Sequence, residues 1–305
     1  TVVDYYRYPE SCARAASELG LRAVIGGRVH DAEPGNLADG KHSYSTAIGQ
    51  ASLKENAELI TNWNGHDDGR IRCDWAPHAP DTCSDDLLRE VKKLADAHGG
   101  NVHTHLSQLP AELHAVRERT GLTPPQLMDK LGLLNDRLIA AHCIHMDRCD
   151  IELCGKARMT VAHAPIGNAK GGRIAPIMEL KEAGARIALC TDTFSGDLIE
   201  AMRWAISMQR INRQGNVLDA RTVLDWGTRE GAEAIGMGEG TIYPLMRRMQ
   251  GDGLVKTYLE ESSSGPPRKY YRLTDAGRAQ LAQLEAYWQQ LNLTLQTLGT
   301  TPCAE

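Results

Sequence analysis

The chain has 305 residues, which is longer than a typical single domain, so one large domain and one smaller domain are expected. Hydrophobic residues make up 42% and charged residues 24% of the chain, a composition typical of a soluble globular protein. The net charge of -5 excludes a general attraction to nucleic acid or anionic membranes, so any DNA contact must be local. No apolar run reaches the ~18 residues of a membrane span, so no membrane partner is expected.

Eight cysteines are scattered along the chain without a CxxC pair, at positions 12, 73, 83, 143, 149, 154, 190 and 303. This usage predicts free thiols in a reducing cytoplasm rather than a disulfide framework. The chain begins Thr1-Val2-Val3, without Met and already inside an apolar run. We therefore expect an N-terminus that has been cut.

The first 237 residues alternate strand and helix signals, which predicts βαβ units and a parallel sheet. Strands are expected at residues 1–3, 22–29, 70–75, 101–105, 137–142, 159–162 and 186–190. Helices are expected at residues 11–19, 84–98, 124–133, 175–183, 197–213 and 219–235. A closed barrel of this type has eight strands, so seven predict an α/β fold that is an incomplete (β/α)8 TIM-type barrel.

Polar side chains follow four of these strands, at the ends where such barrels carry their chemistry. The candidates for contact with a substrate or a metal are His78, His105, Gln108, His142 and Asp192. Catalytic zinc takes neutral imidazole nitrogen and carboxylate oxygen and leaves one position for water. His105, His142 and Asp192 come from three different strands and could converge in that way. The histidines that we expect to be structural instead are His103, His145 and His163.

Four ordered segments around these residues resemble the deaminase and chlorohydrolase branch of the amidohydrolase superfamily. They are residues 75–80 (WAPHAP), 102–107 (VHTHLS), 140–146 (AAHCIHM) and 189–193 (LCTDT). The loop at 164–176 (APIGNAKGGRIAP) is also similar to that branch. The resemblance covers residues 1–237 and implies a metal-dependent hydrolase acting on an amino- or chloro-substituted nitrogen heterocycle.

The resemblance also implies roles for individual residues. His105 matches a metal ligand, and Asp192 matches the aspartate that binds one divalent metal, zinc or iron, and takes a proton from the attacking water. His142 matches the histidine that orients water or substrate and can reach the metal, and His78 matches a substrate contact. Gln108 stands where most of the branch has a glutamate that shuttles a proton, which a carboxamide cannot do at neutral pH. It can still bind and orient the substrate.

The family's first strand carries an HxH pair that supplies two metal ligands, and no such strand precedes Thr1. We therefore expect a barrel that lacks its first strand and binds metal with reduced affinity.

The pattern changes after residue 237. A helix is predicted from residue 240 to 253, followed by a two-stranded hairpin at 254–260 and 269–273 around a Pro- and Gly-rich turn. Thr274 and Asp275 are expected to cap a last helix that ends near Leu293. Leu281, Leu284, Trp288 and Leu291 form an apolar stripe on that helix, which could serve a homodimer or the core of its own domain.

Three segments of this region resemble the PadR family of winged-helix regulators: 240–249 (GTIYPLMRRM), 253–255 (GLV) and 265–277 (GPPRKYYRLTDAG). The resemblance covers residues 238–291 and implies a small α+β winged-helix fragment that contacts duplex DNA through residues 240–272. The DNA-contacting residues that it implies are Thr241, Tyr243, Arg247, Arg248, Arg268 and Lys269. The alternative is that Arg247 and Arg248 are simply solvated.

Two domains are therefore predicted, a truncated amidohydrolase-like barrel at 1–237 and a winged-helix fragment with a C-terminal helix at 238–305. Hydrolysis of a small heterocycle is the leading functional hypothesis. A DNA-binding regulator and an inactive chimeric fragment are the alternatives.

Overall fold

A computed structural model describes the chain except residues 38–39, 195, 216, 238–241, 263–264 and 298–305. The side chains of residues 242–245, 261–262, 265–268, 287–288 and 291–297 are also outside the described part. The chain forms two compact units, Thr1–Gly236 and Met237–Glu305.

The first unit contains one sheet of seven parallel strands, each paired with the next along the chain. The strands are β1 Val2–Asp4, β2 Ala23–Val29, β3 Ile71–Pro77, β4 Val102–Leu106, β5 Leu138–His142, β6 Thr160–His163 and β7 Arg186–Leu189. They curl into part of a barrel with helices around it. The prediction of an incomplete TIM-type barrel is confirmed, and all seven predicted strands are present within two residues of their expected bounds.

Thirteen helices of this unit lie in the described residues. They are α1 Pro9–Glu18, α2 Pro34–Leu37, α3 Thr46–Trp63, α4 His66–Gly69, α5 Asp85–His98, α6 Pro110–Thr120, α7 Pro124–Lys130, α8 Arg148–Lys156, α9 Pro165–Lys170, α10 Ile177–Ala183, α11 Leu198–Arg213, α12 Ala220–Gly227 and α13 Arg229–Ala234. Helix α5, which the sequence predicted, shows how caps set the ends of a helix. At its start the Ser84 side chain accepts a hydrogen bond from Leu87 N, and at its end Gly99 adopts a positive φ of 80°. Its apolar face then packs into the core beneath the sheet.

Six described helices were not predicted, and one predicted helix is divided in two. The unpredicted helices are α2, α3, α4, α6, α8 and α9. The 18-residue helix α3 was not predicted, because its buried face consists of Gly49, Ser52, Asn56 and Leu59 and carries almost no apolar periodicity. Asn56 instead accepts a hydrogen bond from Gly27 N at 2.6 Å, which ties α3 to β2. The single helix predicted at 219–235 is wrong, because Thr228 has non-helical dihedral angles and separates α12 from α13.

The second unit contains α14 Ile242–Gly251, the antiparallel strands β8 Val255–Ser262 and β9 Gly265–Leu273, and α15 Asp275–Thr297. Strand β9 includes residues 265–268, which were predicted as part of the turn. The Thr274 side chain accepts a hydrogen bond from Gly277 N at 3.0 Å, so the predicted cap of α15 is confirmed.

Among the described helices, none combines the length and apolar character needed to cross a membrane. The seven cysteines in the described residues are free thiols, and Cys303 lies outside them.

Candidate active site

The carboxyl ends of the strands in the first unit surround a cavity of about 430 Å³. Because parallel strands present the same end to one edge of the sheet, side chains that are far apart in the chain meet there. All five predicted site residues line this cavity: His78, His105, Gln108, His142 and Asp192. Residues that sequence reasoning did not select also line it, including Tyr5, which follows β1 and lies 5.1 Å from the His105 ring, centre to centre.

Three of the imidazoles in the cavity, those of His78, His105 and His142, are held in the neutral form. Burial is the main cause that lowers the pKa of His105 to about 4, and burial also lowers the pKa of His78 and of His142. Nδ1 of His105 lies 2.8 Å from the backbone oxygen of His78, and Nδ1 of His142 lies 2.9 Å from Oδ1 of Asn168. An oxygen acceptor at Nδ1 places the ring proton there and leaves Nε2 with a free lone pair.

Three of the strand ends have the left-handed backbone that non-glycine residues rarely adopt. The φ angles are 51° at Ser107 after β4, 73° at His142 at the end of β5 and 57° at Asp192 after β7. Such conformations cost free energy and occur at functional sites, where the surrounding structure holds them. At His142 and Asp192 this conformation turns the chain out of the sheet at a residue that lines the cavity. At Ser107 it does so next to one, Gln108.

Asp192 is exposed at the rim of the cavity and is positioned by its neighbours. Its Oδ1 accepts a hydrogen bond from Thr193 N at 2.7 Å. A Cβ atom at Gly167 would overlap its Oδ2. Only glycine at position 167 therefore leaves room for the carboxylate as it stands.

The loop that carries Gln108 is held by Glu112, a residue that the sequence analysis did not select. The buried Glu112 carboxyl accepts hydrogen bonds from Ser107 N and Gln108 N, both at 2.7 Å, and burial raises its pKa to about 8. The Ser107 carbonyl in turn accepts from Ile144 N at 3.1 Å. The sequence did contain a signal for this residue. Acidic residues favour the first turn of a helix, and Glu112 lies in the first turn of α6, shortly after the motif that contains Gln108.

His103 lies at the base of the cavity and is 1% exposed. Its Nε2 is 2.9 Å from Oδ2 of the equally buried Asp74. His163 is also buried, and its ring meets Trp226 edge to face at 6.4 Å. The structural role of both histidines stays a prediction.

The donor chemistry of this cavity fits a divalent metal at two positions, the free Nε2 atoms of His105 and His142, whose rings stack 5.5 Å apart. Within the described residues, however, no group of three or more His, Cys, Asp or Glu side chains is arranged to hold a metal ion. These residues therefore do not supply a complete ligand set.

The amidohydrolase family model matches residues 1–244. The chain belongs to the amidohydrolase family. The chain is 35% identical over 246 residues to a 5'-deoxyadenosine deaminase of Methanosarcina barkeri, and the match covers 78% of the chain and 54% of that protein. It is 32% identical over 250 residues to a 5-methylthioadenosine/S-adenosylhomocysteine deaminase of Desulfitobacterium hafniense, covering 80% of the chain and 55% of that protein. The chain thus spans about half the length of the curated relatives that it matches.

Solved structures agree with the fold. A zinc-bound adenosine deaminase from Xanthomonas campestris superposes with a TM-score of 0.67 at 28% identity, over 78% of this amidohydrolase and 54% of the other chain. An atrazine chlorohydrolase from Arthrobacter aurescens, complexed with zinc, superposes with a TM-score of 0.69 at 21% identity. The match covers 78% of the present chain and 56% of the chlorohydrolase, and it supports the fold alone. The predicted resemblance to the amidohydrolase superfamily is confirmed.

The transcriptional regulator PadR-like family model matches residues 228–283, so the second resemblance is confirmed as well. Arg247, Arg248 and Lys269 of the predicted DNA-contacting residues are exposed, and Arg248 lies 3.8 Å from Asp252 in an ion pair. Thr241 lies outside the described residues, and so do the side chains of Tyr243 and Arg268.

Proposed function

We propose that this amidohydrolase hydrolyses a nitrogen heterocycle that carries an amino or chloro substituent. The observation that carries the proposal is the meeting of neutral His105 and His142, Gln108 and Asp192 on one cavity at the carboxyl ends of the strands. The deaminases among its relatives support the same reaction class.

Asp192 is the proposed base. Its carboxylate accepts a proton from the water whose oxygen adds to the ring carbon, and in a deamination it returns that proton to the departing amine. His142 orients the water through Nε2, and His78 contacts the substrate ring. Gln108 donates or accepts a hydrogen bond at a ring nitrogen but transfers no proton. Chloride leaves without being protonated, so dechlorination makes the smaller demand on a site that has Gln108.

We propose that Nε2 of His105 holds one divalent metal, zinc or iron, and that the single lone pair of His142 Nε2 binds either this metal or the water. Asp192, the other predicted ligand, is not arranged with these two histidines to hold an ion in the described residues. When bound there, a divalent cation supplies Lewis-acid chemistry and lowers the pKa of water toward ~7. Further ligands must come from outside the described residues, since these do not complete the set.

The proposal is tested by measuring ammonia release from 5'-deoxyadenosine and adenosine, and chloride release from atrazine, with the purified chain supplied with zinc or iron(II). We expect slow release of one product, abolished by a chelator and restored by adding the metal back. Release that is insensitive to metal removal would contradict the metal assignment. The absence of release from every compound, with a folded and metal-loaded chain, would contradict the function.

A second candidate function concerns the second unit. The PadR-like match and the helix, hairpin and helix order of α14, β8, β9 and α15 favour duplex DNA binding through residues 240–272. Leu281 and Leu284 are 43% and 59% exposed on α15 and could pair two copies into a homodimer. We expect fluorescence anisotropy to show DNA binding that weakens as salt rises and that is lost in an Arg247→Ala, Arg248→Ala variant. Equal binding by this variant would rule out α14 as the contact.

A further inference from the structure

A second cavity of about 470 Å³ opens beside the candidate active site. The two cavities share one wall, made by Gln108, His142, Asp192 and Thr193. Each cavity also has a lining of its own: the first has imidazole and tyrosine rings, whereas the second has Lys170, Arg173 and Phe194. A substrate whose reacting carbon lies at the shared wall therefore has room to extend into both cavities.

The second cavity carries an excess of positive charge. Lys170 and Arg173 form no ion pair with any residue in the described ranges, and Asp192 is the one carboxylate among the described residues of the lining. The Lys170 ammonium lies 4.2 Å from the centre of the Phe194 ring, a cation–π contact that keeps it at the cavity.

A buried donor adds to the two cations. Asn168 is 2% exposed and lines the cavity, and its Nδ2 has no hydrogen-bond partner within the described part of the chain. With the ring proton of His142 on Nδ1, Oδ1 of Asn168 accepts its hydrogen bond at 2.9 Å, and Nδ2 is left as the donor without a partner among the described residues. A buried donor without a partner costs free energy, which an acceptor in the cavity would recover.

The backbone brings these groups together in one short segment. Arg173 N donates to Asn168 O at 2.9 Å, and Gly172 N donates to Ala169 O at 2.9 Å, which closes the chain after α9. A Cβ atom at Gly171 would lie 2.8 Å from Nη1 of Arg173, so glycine there leaves the guanidinium its place. The segment therefore presents an ammonium, a guanidinium and an amide toward one space.

We infer that Lys170, Arg173 and Asn168 form an anion-binding subsite, and that the substrate is a heterocycle bearing a carboxylate or a phosphate group. This inference rests on the proposed function and adds the substrate's charge. The ring occupies the first cavity, with its reacting carbon at Asp192 and His142. The anionic group lies in the second cavity, where guanidinium and carboxylate or phosphate oxygens form charge-assisted hydrogen bonds.

Binding measured without turnover tests the subsite independently of the reaction. Isothermal titration calorimetry on the full chain, with a chelator present to stop turnover, compares adenosine, adenosine 5'-monophosphate and adenosine 5'-carboxylate, which share one ring and differ in the anionic group. We expect at least one anionic compound to bind about 10-fold to 100-fold more tightly than adenosine, as hydrogen bonds to charged groups imply. Whichever anion gives the larger ratio identifies the group that the subsite takes.

Two variants attribute the effect to the subsite. Arg173→Gln and Lys170→Gln should each reduce the anionic-to-neutral affinity ratio several-fold, and the double variant should bring it close to one. Lys156→Gln is the matched control, because Lys156 is an exposed lysine on α8 away from the cavity, and its ratio should equal that of the unaltered chain. Since Lys170 is exposed, its substitution leaves the fold intact, which the thermal midpoint checks.

Equal affinity for all three compounds would overturn the inference, and so would a ratio unchanged in the double variant. A high ratio without any turnover would refute the proposed reaction and leave the anion subsite standing. Turnover of adenosine with no preference for the anionic compounds would support the proposed reaction and refute the anion subsite.

Discussion

An Asp192→Asn variant should lose about 10²-fold to 10⁴-fold of the hydrolytic rate, the usual contribution of a positioned base. Asparagine has nearly the shape of aspartate, and its side-chain oxygen can still accept the hydrogen bond from Thr193 N. It cannot accept a proton from water, so kcat should fall while the thermal midpoint changes little. Steady-state assays of ammonia or chloride release measure the loss, and a rate within a few-fold of the unaltered chain would exclude Asp192 as the base.

The same carboxylate can be displaced without changing its chemistry. A Gly167→Ala variant introduces a Cβ atom that overlaps Oδ2 of Asp192, so the carboxylate must rotate away and the rate should fall in the same direction. Gly196→Ala is the matched control, because a Cβ atom there meets no described atom within 4 Å. A Gly167→Ala enzyme as active as the control would show that the exact position of the carboxylate is unimportant.

The sequence predicted the sheet well because buried parallel strands give short, nearly continuous apolar runs with polar ends. It also selected His78, His105, Gln108, His142 and Asp192, since each stands in a motif at a strand end. Motif position shows which residues reach the cavity. It does not show which residues hold them there.

The residues that the sequence analysis missed act from other elements. Asn168 orients His142 through one hydrogen bond, and Glu112 holds the Gln108 loop through two, and such contacts leave no periodic pattern in the sequence. Helix α3 was missed for a related reason, because it packs through small and polar residues such as Ser52 and Asn56. Contacts of this kind depend on tertiary proximity and become visible only in the folded chain.

Replacing Glu112 with alanine should lower the free energy of unfolding by about 3 kcal/mol, since one buried and one part-buried backbone donor lose their acceptor and a small cavity forms. Ser107 N and Gln108 N are those donors, and the loop between β4 and α6 should loosen. Urea unfolding at neutral pH measures the loss. Glu118→Ala is the matched control in the same helix, because the Glu118 side chain is 77% exposed, and it should change stability by less than about 0.5 kcal/mol.

The pH dependence of this loss separates the role of Glu112 from a general packing defect. Burial raises the pKa of Glu112 to about 8 from its usual 4.5, so between these values the folded chain binds more protons than the unfolded chain. The contribution of Glu112 to stability is therefore full below pH 4.5 and falls as pH rises toward 8. The difference between the unaltered chain and Glu112→Ala should accordingly be larger at pH 6 than at pH 8.5. If the difference in the free energy of unfolding is constant with pH, Glu112 acts through its volume alone. If the difference grows with pH, the ionised carboxylate is the form that holds the Gln108 loop.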